Sequence, residues 1–172
     1  MKIAFVFPGQ GSQSVGMMKG FDGHPAVRAT FDEASSALGE DLWKMVTEGP
    51  EEALDLTVNT QPLMLTAGVA VWRAWRAAGG AVPAVVAGHS LGEYSAVVAA
   101  GGLGVAEAAR TVRLRGRLMQ AAVPVGEGAM AAIIGLDDDV VAAACAEVEA
   151  AGDGVVAAVN FNSPGQVVIA GA

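Results

Sequence analysis

A short apolar strand that runs through a Gly-x-Ser-x-Gly turn into a helix is the feature that most constrains the fold of this 172-residue chain. Residues 84–87 are predicted as the strand, Gly88-His89-Ser90-Leu91-Gly92 as the turn, and the Ala-rich residues up to 100 as the helix. On such a sharp turn, side chains two residues before and after the serine would collide with the backbone. The two glycines remove that clash, so the pattern predicts an α/β unit with an exposed serine hydroxyl.

Strands and helices alternate along the first 123 residues. Residues 3–7 are apolar without alternation, which is typical of a strand buried on both faces of a parallel sheet. Helices are predicted at residues 25–38, 51–55, 62–78 and 105–121, with Thr60-Gln61-Pro62 as the start of the third. This alternation favours an α/β fold with a parallel sheet.

A change in charge predicts a domain boundary beside Pro124. Residues 124–172 contain seven acidic residues and no Lys or Arg. We therefore expect two domains, 1–123 and 124–172. Strands at 130–135, 155–159 and 166–170 and a helix at 137–150 give the second domain the order β-α-β-β, which is the first part of a split βαββαβ arrangement. We expect the chain to stop before the second helix and last strand.

Composition excludes several classes of protein. Hydrophobic residues reach 53 % and charged residues 16 %, which excludes a disordered chain, and the net charge of −8 argues against nucleic acid as a partner. The single Cys145 excludes an internal disulfide framework. We see no signal peptide, membrane-spanning segment, metal-ligand spacing or Walker loop, and predict a soluble, cytoplasmic protein without a metal.

Ser90 is the candidate nucleophile. The helix that begins after it directs its first N–H groups, including that of Leu91, to the place where an oxyanion would develop. The alternative is that the turn merely joins a strand to a helix.

A serine nucleophile needs a base, and the sequence contains only His24 and His89. Neighbouring side chains on a sharp turn point apart, so His89 is expected to fix the turn or line the pocket. His24 lies in a polar loop and is expected to be exposed to solvent. The natural base is therefore expected to lie outside these 172 residues.

The turn Gly9-Gln10-Gly11 follows the first predicted strand. A dinucleotide fingerprint would require a third glycine where Ser14 stands, which disfavours that interpretation. Loops at the carboxyl ends of parallel strands lie side by side, so the backbone N–H of Gln10 is predicted to be a second oxyanion donor.

Four arginines lie on the helix predicted at residues 105–121, and they do not share a face. Helical periodicity groups Arg110, Arg113 and Arg117 on what is most simply a solvated face. Arg115 falls on an apolar stripe, where its charge requires a partner. That partner is either a substrate carboxylate or an internal ion pair, for instance with Glu93, unless the stem extends outward to solvent.

The remaining polar and aromatic candidates have structural explanations. Asn160, Asn162 and Ser163 are assigned to a turn, and Cys145 to a helix as a small core residue. Trp72 and Trp75 are assigned to packing.

Four motifs, in order and spanning nearly the whole chain, carry a family resemblance. They are Phe7-Pro8-Gly9-Gln10-Gly11-Ser12-Gln13, Gly88-His89-Ser90-Leu91-Gly92-Glu93-Tyr94, Arg113-Leu114-Arg115-Gly116 and Asn160-Phe161-Asn162-Ser163-Pro164-Gly165-Gln166. Together they resemble the malonyl-CoA:acyl carrier protein transacylases of fatty acid synthesis and the related acyltransferase domains of polyketide synthases.

The resemblance implies a covalent mechanism. Ser90 would take a malonyl group from coenzyme A and pass it to the phosphopantetheine thiol of acyl carrier protein, with no permanently bound cofactor. The backbone N–H groups of Gln10 and Leu91 would form the oxyanion hole, and Arg115 would pair with the malonyl carboxylate. His89 and Asn160 are also expected in the substrate site.

The resemblance further implies an α/β-hydrolase-like core with an inserted ferredoxin-like subdomain. The family's histidine base lies downstream of that subdomain, so this chain is expected to be an amino-terminal portion, inactive by itself or serving as a scaffold. A serine esterase and a polyketide synthase module remain alternatives, although a strand starting at Ile3 favours a discrete enzyme, monomeric when complete. Because carrier proteins are acidic, docking is expected at the positive middle segment, which carries Arg73, Arg76, Arg110, Arg113 and Arg117.

Overall fold

The structure is a computed structural model that describes residues 2–123, 126–152 and 154–172. The chain divides into two units, Met1–Met119 and Gln120–Ala172. Pro124, beside which the sequence predicted the boundary, lies outside the described residues.

The first unit contains a parallel pair of strands, as predicted. β1 (Ala4–Phe7) pairs with β2 (Val85–Gly88) in the register Ala4↔Val85 to Phe7↔Gly88. Because the strands end level with each other, the turn after β1 and the turn that carries Ser90 begin at the same edge of the sheet.

The prediction that β1 is buried on both faces is wrong for the described residues. Phe5 and Phe7 point to one face, where the Phe5 ring lies 5.2 Å from that of Trp72 and Phe7 is only 4 % exposed. Val6 points to the other face and is 75 % exposed. Side chains alternate between the faces of a strand, and helices cover only the Phe5 and Phe7 face in the ranges described.

The described part of the first unit also contains six helices, the last of which ends three residues beyond the unit. They are α1 (Pro25–Leu38), α2 (Leu42–Glu48), α3 (Glu51–Asp55), α4 (Thr57–Ala77), α5 (Leu91–Ala99) and α6 (Val105–Ala122). A 3-10 helix spans Lys19–Phe21. None of the helices in the described ranges has the length and apolar character needed to cross a membrane.

The predicted start of α4 at Pro62 is wrong, because the helix already begins at Thr57 and Pro62 lies inside it. Its N-cap residue is Leu56, which has no side-chain acceptor to signal a helix start. Instead, the Thr60 hydroxyl donates to the carbonyls of Leu54 and Leu56 and fixes the first turn.

α4 is the central helix of the first unit. It packs against α1 and α5, and most of its residues from Thr60 to Ala70 are buried. Fully buried side chains from four of the helices form the core around it: Phe31, Leu42, Val46, Leu63, Leu65, Val69, Val105 and Val112. This arrangement fixes α4 behind the sheet, where its polar Gln61 reaches the candidate site.

The second unit has the predicted order β-α-β-β. Its elements are β3 (Ala129–Ile134), α7 (Asp138–Ala151), β4 (Val156–Ser163) and β5 (Gln166–Gly171). The strand order is β3-β5-β4, and β5 is antiparallel to both neighbours. Cys145 is buried beside Val141 and Val167, which confirms it as a small core residue.

The assignment of Asn160, Asn162 and Ser163 to a turn is wrong. All three belong to β4, and Asn160 pairs with Val168 of β5. The turn is shorter than predicted, with Gly165 at φ 75°. Asparagine is depleted in β-strands, but here the pairing of β4 with the Val-rich β5 outweighs that propensity.

Candidate active site

Ser90 occupies a strained position between β2 and α5. Its backbone angles are φ 54° and ψ −109°, and it is the only non-glycine residue with positive φ in the described ranges. Such a conformation costs on the order of 1–3 kcal/mol and persists only where the surroundings impose it. The strand–turn–helix predicted from the sequence is therefore present, with the serine at its apex.

The glycines on either side of Ser90 allow the surrounding backbone to close. A Cβ on Gly88 would overlap the carbonyl group of Gly92, and a Cβ on Gly92 would overlap the carbonyl oxygen of Phe7. The start of α5 therefore lies directly against the end of β1. A side chain at Gly88 would force the end of β2 away from the start of α5, and a side chain at Gly92 would force β1 and α5 apart.

Glu93 holds the serine turn from inside α5. Its carboxylate Oε1 accepts a hydrogen bond from the Ser90 backbone N–H at 3.1 Å. The alternative that Glu93 forms an ion pair with Arg115 is wrong, because the salt bridges found among the described residues include neither side chain.

Arg115 lies against the candidate nucleophile. Its Nη2 donates to Ser90 Oγ at 2.8 Å and its Nη1 donates to Gln61 Oε1 at 3.0 Å. The Tyr94 ring centre is 5.8 Å from the guanidinium carbon, within cation–π range. The structure thus brings together two residues that the sequence singled out in separate segments, Ser90 on the turn and Arg115 on α6.

Gly116, to which sequence analysis gave no role, allows this approach. A Cβ on Gly116 would lie 2.8 Å from the Thr57 carbonyl oxygen and 2.9 Å from the Val58 Cα. α6 therefore touches the first turn of α4 backbone to backbone, one residue away from Arg115. A signal was available, because a glycine inside a helix costs about 1 kcal/mol relative to alanine and indicates a packing requirement.

Gln61 is the second residue that the sequence did not reveal. Its side chain is fully buried, and its Nε2 donates to Gln10 Oε1 at 3.3 Å and to the Met119 sulfur at 3.1 Å. Because a guanidinium can only donate, the amide oxygen of Gln61 must face Arg115. The available signal was a polar residue at a buried position of an apolar helix.

Gln10 places the turn after β1 at the same site. Its Nε2 donates to Thr57 Oγ1 at 3.3 Å, and the neighbouring Gly9 lies close to the carbonyl oxygen of His89. Within the ranges described, the backbone N–H groups of Gln10 and Leu91 donate to no protein acceptor. The prediction that they bind an oxyanion is compatible with this arrangement and stays a prediction.

The two histidines occupy different environments. The His89 side chain is exposed, and its backbone carbonyl accepts from the Gly92 N–H at 2.9 Å, so its backbone helps to form the turn. The prediction that His24 is solvent-exposed is wrong in part. His24 is the N-cap residue of α1, and its Nδ1 is buried without a hydrogen-bond partner in the described part of the chain.

Asn160, the last predicted site residue, is half-buried on β4 in the second unit. Its place in a substrate site stays a prediction.

The prediction that Arg110, Arg113 and Arg117 form a solvated face is wrong for Arg113. That residue is 7 % exposed, forms an ion pair with Glu40, and donates from Nη1 to Asn59 Oδ1 at 2.8 Å. Periodicity placed it on the correct face, but the face is covered by residues distant in sequence. Arg110 and Arg117 are exposed.

Two further arginines of the positive middle segment have internal partners. Arg73 pairs with Glu33 at 2.8 Å, and Arg76 donates to the Gly80 carbonyl at 2.6 Å. Of the five arginines expected to attract an acidic partner, only Arg110 and Arg117 are exposed without an acceptor among the described residues.

The fold and the serine site place the chain among the α/β proteins that carry a strained serine between a strand and a helix, and comparison with known proteins identifies the family. The model of the acyl transferase domain matches residues 4–172, so the chain belongs to the acyl transferase domain family.

Particular relatives are similar over almost the whole chain. The malonyl CoA-acyl carrier protein transacylases of Escherichia coli K12 and Salmonella typhimurium LT2 are 60 % and 59 % identical over 171 residues, which is 99 % of this chain and 55 % of theirs. The chain therefore spans about half the length of these curated relatives.

Solved structures agree with this relationship. The crystal structure of an acyl-carrier-protein S-malonyltransferase from Burkholderia pseudomallei 1710b matches with a TM-score of 0.93 and 62 % identity, over 99 % of this chain and 55 % of that one. A malonyl-transacylase solved in complex with its type II PKS acyl-carrier protein matches with a TM-score of 0.92 and 56 % identity, with the same coverage.

Proposed function

We propose that the protein containing this chain transfers a malonyl group from malonyl-CoA to the phosphopantetheine thiol of acyl carrier protein, in fatty acid synthesis. The observation that carries the proposal is the 2.8 Å hydrogen bond between Arg115 and the hydroxyl of the strained Ser90. It places a cation suited to bind a carboxylate beside a half-buried serine hydroxyl. The names of the curated relatives support the same reaction.

The fold that we propose for this function has two parts. Residues 1–123 would form an α/β-hydrolase-like core whose nucleophile elbow carries Ser90. Residues 124–172 would begin a ferredoxin-like subdomain, which the order β3-β5-β4 supports. Asn160 and His89 would face the substrate.

In the first half-reaction, Ser90 Oγ attacks the carbonyl carbon of the malonyl thioester. The carbon–sulfur bond breaks, coenzyme A leaves as its thiolate, and the hydroxyl proton passes to a base. The charge that develops on the carbonyl oxygen is held by the free backbone N–H groups of Gln10 and Leu91. Removing one such donor typically costs 10²–10³-fold in rate.

In the second half-reaction, the phosphopantetheine thiol attacks the carbonyl carbon of the malonyl ester on Ser90. The carbon–oxygen bond to Ser90 breaks, the thiol proton returns to the serine oxygen by way of the base, and malonyl carrier protein leaves. We place the histidine base in the part of the relatives' length that this chain does not span. Neither His24 nor His89 forms a side-chain hydrogen bond with Ser90.

Arg115 would bind the free carboxylate of the malonyl group. Its planar guanidinium presents two parallel donors to a carboxylate, and its cation has no carboxylate partner among the described residues. A half-buried guanidinium that lies beside Ser90 and has no internal carboxylate partner selects an acyl group that carries its own carboxylate.

The proposal is tested by mass spectrometry of the whole protein after incubation with malonyl-CoA. We expect one malonyl group on the peptide that contains Ser90, and none in the Ser90→Ala variant. Addition of phosphopantetheinylated carrier protein should then move the group to its thiol. An adduct that survives Ser90→Ala excludes the proposed nucleophile, and release as free malonic acid in place of transfer identifies a serine hydrolase.

Carrier protein is proposed to dock at Arg110 and Arg117, the two arginines of the positive segment that remain available. Reversing both charges (Arg110→Glu with Arg117→Glu) should raise KM for carrier protein about tenfold at low salt, because complementary charges accelerate association. The KM for malonyl-CoA should not change. Lys44→Glu is the control, because Lys44 is an exposed residue of α2. An equal effect of this control would contradict docking at α6.

A further inference from the structure

We propose that Arg115 also masks Ser90, that is, its hydrogen bond lowers the reactivity of the Ser90 hydroxyl until a carboxylate takes the place of that hydroxyl at the guanidinium. The acyl group would then be selected at the step of attack by Ser90 as well as in binding. This inference rests on the proposed function, in which the displacing carboxylate belongs to the malonyl group. It concerns the protein before substrate arrives.

The mask is the hydrogen bond itself. A serine oxygen attacks through a lone pair, and Arg115 Nη2 occupies one lone pair of Ser90 Oγ at 2.8 Å. A guanidinium donates and never accepts, so Arg115 cannot take the hydroxyl proton, which must still pass to a base. It withdraws electron density from the oxygen that must attack.

Arg115 is held in the masking position from three sides. Its Nη1 is bound by the fully buried amide oxygen of Gln61, and the Tyr94 ring lies beside the guanidinium. The backbone contact at Gly116 fixes the stretch of α6 that carries it. The guanidinium is therefore released from Ser90 only when another acceptor competes for Nη2.

A carboxylate is a competitor strong enough to displace Ser90. A carboxylate adds a Coulomb attraction between opposite charges, which the neutral hydroxyl lacks, and it can accept two parallel N–H bonds from the guanidinium. A substrate carboxylate placed beside Arg115 therefore takes Nη2 from the neutral hydroxyl, which leaves Ser90 Oγ free to attack. An acetyl group or another neutral acyl group offers no charged acceptor, and the mask stays in place.

The masking role and a simple binding role predict different effects of removing the guanidinium. If Arg115 only binds the substrate carboxylate, its loss leaves the reaction of Ser90 with a neutral reagent unchanged. If Arg115 masks the hydroxyl, its loss accelerates that reaction.

The decisive measurement is the rate at which phenylmethylsulfonyl fluoride, a neutral reagent, sulfonylates Ser90. In this reaction Ser90 Oγ bonds to sulfur, fluoride leaves, and the hydroxyl proton passes to a base. We expect Arg115→Met to react about tenfold faster than the unaltered protein, consistent with the loss of one hydrogen bond from a charged donor. Methionine occupies a similar length without a donor, so wider access does not explain the increase.

Lys44→Met is the control, because Lys44 is an exposed cation on α2 that makes no salt bridge in the described ranges. Its sulfonylation rate should equal that of the unaltered protein. Sulfonylation of Arg115→Met at the unaltered rate, or more slowly, overturns the masking role. The malonyl adduct is scored separately, so absence of that adduct from the unaltered protein contradicts the proposed function instead.

A second measurement needs no variant and therefore does not depend on how Arg115→Met folds. Benzenesulfonyl fluoride is compared with its 4-carboxy derivative on the unaltered protein under saturating conditions. Masking predicts that the carboxylate raises the maximal rate of inactivation, since it displaces Arg115 from Ser90. A carboxylate effect confined to the half-saturating concentration would contradict the proposal.

Discussion

Arg115→Met is expected to lower kcat/KM for malonyl-CoA by about 100-fold and to leave kcat/KM for acetyl-CoA undiminished. The contact that would be lost is the proposed charge-assisted bond between the guanidinium and the malonyl carboxylate. Such bonds contribute about 1.5–3 kcal/mol, which corresponds to roughly 10–150-fold in rate. We expect a loss in the upper part of that range, because Gln61, which binds the Arg115 guanidinium, is fully buried.

Parallel kinetics with the two thioesters provide the measurement. The ratio of the two kcat/KM values is informative because a general structural defect lowers both. Lys44→Met also removes one positive charge, but from an exposed residue outside the site, and should leave the ratio unchanged. Equal losses for malonyl-CoA and acetyl-CoA in Arg115→Met would exclude carboxylate binding by this residue.

Gly92→Ala is expected to abolish the malonyl adduct on Ser90 and to lower the free energy of unfolding by about 3 kcal/mol. The added Cβ overlaps the Phe7 carbonyl oxygen and lies 3.1 Å from that of Pro8, so the obstacle is backbone. Overpacking that displaces backbone costs up to about 3 kcal/mol. The displaced element is the first turn of α5, which supplies the Leu91 N–H.

Urea unfolding and adduct formation are measured on the same preparations. Gly20→Ala is the matched control, because a Cβ at Gly20 meets no atom within 4 Å and Gly20 has no positive φ. The free energy of unfolding of Gly20→Ala and its yield of malonyl adduct should both stay near those of the unaltered protein. A Gly92→Ala variant with full adduct would show that contact between α5 and β1 is not required at the site.

The local part of the site was predictable from sequence because its causes are local. The strained turn at Ser90 follows from the flanking glycines and the strand and helix on either side. The exceptional position of Arg115 follows from helical periodicity alone. Both conclusions need only the residues of one element.

The contacts that hold these residues were not predictable, because they join distant segments. Arg115 meets Gln61 across 54 residues, and Arg113 meets Glu40 across 73. A sequence reveals that Arg113 lies on a given helix face, but not that the segment after α1 supplies an acid and α4 an amide to cover it. The start of α4 was missed for a simpler reason, since its N-cap residue, Leu56, is apolar.

The hydrogen bonds from Arg115 through Gln61 and Gln10 to Thr57 carry a consequence for evolution. Replacing Arg115 with a neutral residue, as a change of acyl-group specificity would require, leaves the buried amide oxygen of Gln61 without a hydrogen-bond donor. An unsatisfied buried acceptor lowers the free energy of unfolding by about 1–3 kcal/mol. Gln61 also holds the side chain of the residue whose N–H would bind the oxyanion. Substitutions at Arg115 and Gln61 should therefore be acquired together, and a new substrate range is reached through paired changes.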